Sequence, residues 1–206
     1  LEAEIAASLA AWKKAAETLS KKRAKAKPKL ERAVNDLLHQ MGMNAAQLVI
    51  ALSSATDPNR HGLETIAFHI ATQADQPAQA LNKIASGGEL SRISLAIQVA
   101  TLGANAIGTM IFDEVDVGIG GGVAQTVGEL LRRLSQHTQI LCVTHLGQVA
   151  AQGHHHLKVT KNASTSQVTT LNEEERVSEI ARMVGGLKIT KKSLAHAQEM
   201  MSVVQT

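Results

Sequence analysis

The chain has 206 residues, 44% of them hydrophobic and 19% charged, with a formal net charge of +3, which is enough apolar material for one buried core plus an extension and too much for a disordered chain. Aromatic residues make up only 1% (Trp12, Phe68 and Phe112), so the core is expected to be aliphatic, and base stacking on exposed rings is disfavoured as a way of binding single strands. Cys142 is the only cysteine, which rules out an internal disulfide and suits a reducing compartment, and neither a secretory signal nor an apolar run of roughly 18 residues is present.

Residues 1–41 read as one long helix or two consecutive ones. Ile5, Leu9, Trp12, Ala16, Leu19, Arg23, Ala26 and Leu30 recur at alternating intervals of four and three, the seam of a coiled-coil arm. Pro28 is expected to kink or break it. An amphipathic helix packed on its own domain is the alternative. Lys21 to Lys29 (KKRAKAKPK) holds six cations. Such a run suits DNA phosphates, although it is also the pattern of a solvated helix face. The chain opens at Leu1, inside this helical pattern, so an N-terminal part is expected to precede it.

Gln47 to Ser53 and Leu63 to Gln73 read as strands joined at Asp57-Pro58-Asn59, giving a hairpin or meander. Asp75 to Lys83 is expected to be a loop. From Ser86 the pattern alternates: a helix from Gly87 to about Leu102, a buried strand Thr109 to Phe112, glycines from Gly118 to Gly122, and a helix Val123 to Ser135. A second buried strand, Gln139 to Thr144, follows. That alternation predicts parallel strands with helical crossovers. Leu157 to Thr160 and Gln167 to Leu171 suggest a closing hairpin, and helices at Glu173 to Val184 and Thr190 to Val204 end the chain.

Three features carry chemistry. Asp113 and Glu114 end an apolar strand, where ligands collect in open α/β sheets. A nucleoside triphosphatase needs a Mg²⁺-holding Asp and a water-polarising Glu there; a surface turn bearing two acids is the bland alternative. Ser86-Gly87-Gly88-Glu89 opens a helix. Ser86 and Glu89 can form a capping box, while the two glycines let an anion approach the backbone N–H groups at the positive end of the helix dipole. His145 ends the second buried strand and would share a sheet edge with the acids. His154-His155-His156 lacks Cys or acidic partners and reads as a solvent-facing loop, and Cys142 reads as a small core hydrophobe.

In this order the three features, with Asp116 two residues after Glu114, resemble the second half of an ATP-binding-cassette ATPase: signature motif, Walker B strand, D-loop aspartate and switch histidine. The likeness covers about residues 84–146. Glu89, where transporters usually carry Gln, and Val115-Asp116, where they carry Pro-Thr or Pro-Ser, point to the chromosome-maintenance and DNA-repair branch. Ala85 and Gly120 depart from the common pattern without removing a catalytic group. No G-x-x-x-x-G-K-[ST] phosphate loop occurs; Gly186 to Ser193 fails because Lys191 stands where the second glycine must be.

The resemblance implies an α/β fold, the C-terminal lobe of an ABC/SMC-type head with a mainly parallel sheet flanked by helices. Residues 1–41 would form a coiled-coil stub and 45–206 the C-terminal half of the head. It implies ATP and Mg²⁺ as cofactors, with Asp113 holding the metal, Glu114 orienting water and His145 touching the γ-phosphate. Ser86, Gly87, Gly88 and Glu89 would cap the nucleotide of a partner head, and Asp116 would couple the two sites of a homodimer. Partners would be DNA, in particular double-strand break ends, a second head and the N-terminal half, with no membrane. The setting would be bacterial and cytoplasmic, in repair, recombination and the SOS response. The chain alone would be inactive in hydrolysis. A head of another chromosome-maintenance or nuclease-partner protein, or a non-catalytic interaction module, remains open.

Overall fold

The computed structural model describes residues 1–55, 58–73, 75–84, 86–103, 107–162, 164–186 and 189–202. Asp57 of the expected turn, Ala85, part of the Gly186–Ser193 segment and the end of the last expected helix lie outside them. Two compact units emerge, Leu1–Ala85 and Ser86–Thr206. The first helix belongs to the same compact unit as the strands that follow it.

Helix α1 spans Glu2–Gln40 and runs through Pro28 without a break. Pro28 is solvent-exposed, so the carbonyl it deprives of a partner meets water, and the flanking turns are held by packing. Strands β1 (Gln47–Ser54) and β2 (Glu64–Ala71) form the expected antiparallel hairpin, and short β3 (Gln79–Ala80) joins β2 before a 3₁₀ turn at Leu81–Lys83. The strand order β1-β2-β3 leaves one edge of β1 free of strands, and α1 covers it. Asn35 Oδ1 accepts the Leu48 N–H at 2.7 Å, and Glu31 Oε1 accepts the Ile50 N–H at 2.7 Å. Further up, Arg23 bonds Glu64 at 3.1 Å and the Trp12 indole donates to Asn59 O at 3.0 Å. Part of the apparent coiled-coil seam, Trp12 and Arg23, is therefore engaged inside the unit. Ala16, Val34, Leu37 and Leu38 are buried. Along the seam itself Ile5 is 60%, Leu9 52% and Leu19 37% exposed, and Ala26 is exposed as well.

The second unit is built from α2 (Gly87–Ala100), β4 (Thr109–Phe112), α3 (Gly121–Ser135), β5 (Gln139–Cys142), α4 (Gly147–Ala151), β6 (Leu157–Lys161), β7 (Ser166–Thr170), α5 (Glu173–Gly185) and α6 (Lys191–Ser202). Strands β4 and β5 pair in parallel, Thr109 opposite Gln139 and Phe112 opposite Cys142. This is the one parallel pair among the described strands; β6 and β7 are antiparallel. Neither β4 nor β5 is buried on both sides. Phe112 is buried, whereas Ile111 is 70% and Val143 61% exposed. Successive strand residues face opposite ways, so one face of this pair meets helices and the other is an apolar surface. The core is aliphatic, with Ile93, Leu95, Val99, Val127, Leu131 and Leu134 buried. A second cluster joins Ala151, Ile180, Ala181, Ala197 and Met201. Helix α5 starts with a full capping box between Asn172 and Glu175, the arrangement that fixes its first turn. No described helix is long and apolar enough to cross a membrane.

Two predictions follow from these packings. Removing both side chains that cap the free edge of β1 (Glu31→Ala with Asn35→Ala) should cost about 1–3 kcal/mol in urea unfolding, since two backbone N–H groups lose their acceptors, and should raise self-association through the bared edge. Glu179 is 7% exposed. Hydrogen bonds from Arg182 and Lys158, at 2.6 Å each, hold its carboxyl down to about 2 against the upward pull of burial. This pair of bonds therefore stabilises the fold above the ordinary carboxyl value, and the contribution drains away as pH falls from 4.5 towards about 2. Unfolding midpoints of the wild type should fall across that window, while Glu179→Gln should show a flatter profile.

Candidate functional site

The site is assembled where the start of α2 meets the turn after β4. Ser86 caps α2 by accepting the Glu89 N–H at 3.4 Å. The next two residues lack side chains for a concrete reason. A Cβ on Gly87 would stand 2.1 Å from Glu114 Oε2, and one on Gly88 would stand 3.1 Å from Glu114 O and 3.3 Å from Val117 O. Further along α2, Ser91 Oγ donates to Asp113 O at 2.7 Å, and Arg92 Nη1 donates to Val115 O at 3.3 Å and Val117 O at 2.9 Å. The first turns of α2 thus clamp the acidic turn by side-chain bonds and by contact too close for a methyl group.

Glu114 has φ 58, the left-handed conformation, and is the one described non-glycine residue there. Such a backbone costs about 1 kcal/mol or more. The turn is held by Asp113 Oδ1, which accepts the Glu114 N–H at 2.8 Å, and by the Val117 N–H donating to Glu114 O at 3.1 Å. Both acid side chains remain exposed.

Asp116 does something else. It is 2% exposed, and its Oδ2 gathers donors from the loop after β5: the Thr144 hydroxyl, the His145 N–H at 3.1 Å and the Leu146 N–H at 3.3 Å. His145 Nδ1 stands 3.3 Å from the same oxygen, with the imidazole 67% exposed. All of these contacts lie within the second unit and fall on one oxygen of Asp116. It ties the acidic turn to the histidine loop, as the parallel register of β4 and β5 allows. His145 therefore does lie beside the acidic turn.

Thr144 was not legible as a site residue; Arg92, whose place one turn into α2 suggests pairing with nearby acids, instead donates to the carbonyls of Val115 and Val117. Arg92 directly follows the Ser-Gly-Gly-Glu-Leu-Ser run, which was the available signal. It is 7% exposed, and burial lowers its guanidinium pKa while neighbouring Glu89 opposes the shift. Cys142 is no nucleophile, because burial first and then Asp116 and Asp113 push its thiol up to about 12. His154 and His155 are exposed. Among the described residues no group of three or more His, Cys, Asp or Glu side chains can hold a metal. Asp113 can still serve a Mg²⁺, which needs only one or two protein carboxylates when phosphate oxygens and water complete its shell.

Comparison with known proteins places this geometry in a lineage. Over its whole length the chain is 45% identical to the DNA repair protein RecN of Xylella fastidiosa strain 9a5c, of which it covers 38%. It is 45% identical over 92% of its length to RecN of Haemophilus influenzae and 37% over 98% to RecN of Treponema pallidum. The chain thus spans little more than a third of these relatives. No family model matches it. Among solved structures it resembles the Smc head domain derived from Pyrococcus yayanosii, with TM-score 0.55, 18% identity and 74% of this chain covered. It also resembles an Smc head bound to the C-terminal winged-helix domain of ScpA, with TM-score 0.53, 17% identity and 75% covered. These likenesses show that the chain shares the fold of part of an Smc head domain.

The two glycines should respond differently to alanine. At Gly87 the obstructing atom is the end of a flexible Glu114 side chain, so Gly87→Ala should cost under about 1 kcal/mol and mainly displace that carboxylate. At Gly88 the obstruction is backbone, so Gly88→Ala should cost about 1–3 kcal/mol. Urea titration of both variants tests the order, and equal costs would contradict the close approach.

Proposed function

From a chain that matches the RecN DNA repair proteins along its whole length and has the fold of an SMC head lobe, we propose that it forms part of an ATP-driven DNA repair machine acting on double-strand breaks in the bacterial cytoplasm. The observation that supports this reading is convergence. The α2 turn, the Asp113–Glu114 pair and the Asp116–His145 pair meet at the carboxyl end of two parallel strands.

Mg-ATP, when bound, supplies the phosphoanhydride bond to be cleaved and the cation that offsets its charge. Asp113 offers its exposed carboxylate to that cation. Glu114 accepts a hydrogen bond from the attacking water and so orients it. Asp116 engages Nδ1 of His145, which leaves the other ring nitrogen for the terminal phosphate. Ser86, Gly87, Gly88 and Glu89 present the amide end of α2 to the nucleotide of a second head. In the chain by itself that helix end faces Glu114, so a phosphate arriving there must displace the carboxylate.

No phosphate loop occurs in this sequence, so the β- and γ-phosphates are to be gripped by another segment, the N-terminal half in this reading. The exposed apolar face of β4 and β5, carrying Ile111, Leu141 and Val143, suits a covering segment of that kind. A non-catalytic interaction module would use the same face and would need no acids beside it.

The test is made in the full-length counterpart. Glu114→Gln should bind ATP as the wild type does while hydrolysis falls about 100-fold or more. Near-normal turnover would remove Glu114 from its assigned role, and hydrolysis by the present chain alone would show that the missing grip is not required.

A further inference from the structure

The outward face of α1 carries charge that neither its packing nor the nucleotide reading uses. Lys14, Lys21, Lys25, Lys29 and Arg32 follow one another at intervals of seven, four, four and three, which keeps them on one side of a helix, with Lys22 beside them. All six are exposed. The opposite side is the one that packs on the hairpin through Trp12, Ala16, Arg23, Val34 and Leu37. The unbroken course of α1 through Pro28 makes the row continuous. From Lys14 to Arg32 it extends roughly 27 Å at about 1.5 Å per residue.

Few acids of α1 lie beside this row. Two cations of the same helix are paired on its inner side, Arg23 with Glu64 and Lys27 with Glu31. None of the six outward cations has an ion-pair partner among the described residues. Of the acids on this part of α1, Glu31 is turned to β1, which leaves Glu17 near the row and Asp36 one turn beyond its Arg32 end.

We propose that this stripe is a docking surface for the phosphate backbone of duplex DNA. A straight row of flexible cations about 27 Å long matches about eight base pairs of a rod carrying one negative charge per roughly 1.7 Å. Five of the six are lysines, point charges that meet phosphates without the planar fork that reads a base edge, so binding is independent of sequence. Single strands fit less well. The one aromatic ring of α1, Trp12, is turned to the hairpin with its N–H on Asn59, and no ring on the outer face offers a stacking platform. The surface belongs wholly to the first unit, so it stands or falls apart from the proposed nucleotide site.

Fluorescence anisotropy of the chain with a labelled duplex of about 20 base pairs tests the assignment, with salt varied between about 50 and 200 mM. Affinity should fall with salt at a log–log slope of about −4 to −5 and be indifferent to base sequence. Lys21→Ala, Lys25→Ala and Lys29→Ala together should weaken binding at least tenfold and flatten the slope by about 0.9 per lysine. Helicity should be kept, because alanine favours a helix. Arginine at the same three positions should restore binding. The same charge loss placed elsewhere (Lys161→Ala, Lys191→Ala and Lys192→Ala) should leave it intact. Equal weakening by both alanine triples would overturn the proposal by reducing it to net charge. So would absence of duplex binding at low salt, or a polyglutamate peptide binding as tightly as the duplex, which would point to an acidic protein instead.

Discussion

The second unit depends on one close approach, between the first turn of α2 and the turn that follows β4. Two consecutive residues without side chains let the helix end and the turn approach closely, the Glu114 side chain lying over Gly87 and the turn's backbone oxygens over Gly88. Ser91 and Arg92 then fasten the contact by donating to carbonyls of the turn. The acid pair leaves the strand at a left-handed Glu114, a conformation that persists only where its surroundings over-determine it. The strain and the clamp explain each other.

Asp116 extends the clamp to a third element. A carboxylate that is nearly inaccessible and gathers donors from Thr144, His145 and Leu146 is costly to bury unless every bond is made. It therefore fixes the loop after β5 relative to the turn after β4. The position of His145 follows from that anchor and from the parallel register, not from any property of histidine. A displacement of α2 would be felt at His145 through Arg92, the 115–117 turn and Asp116, all joined by hydrogen bonds. Those contacts connect the start of α2 to the loop that carries His145.

The first unit obeys a different constraint. A sheet edge must be paired, covered or charged, and here a helix covers it with two polar side chains. That requirement decides how α1 spends its residues. Of the face that reads as a coiled-coil seam, Ala16 is buried and Trp12 and Arg23 bond residues of the hairpin region, while Ile5, Leu9 and Leu19 stay exposed. The cations are driven to the far side, where they line up because the near side is taken.

Much was legible before any coordinate. Strand β4 was read to the residue, as was the end of α3. Both hairpins and the two terminal helices were placed to within a few residues, because apolar periodicity and turn residues are local properties. The order of Ser86-Gly87-Gly88-Glu89, Asp113-Glu114 and His145 was legible as a pattern, and the structure brings the start of α2, the acidic turn and the histidine loop together. The sequence could not say which glycine touches which atom, that Asp116 turns inward, or that α1 passes Pro28 unbroken. Nor could it show that β4 and β5 keep an open face or that the unit boundary falls at residue 85. Those outcomes rest on contacts between residues far apart in the chain, and whether a methyl group fits or a carbonyl finds water is settled only when the partner segments are in place.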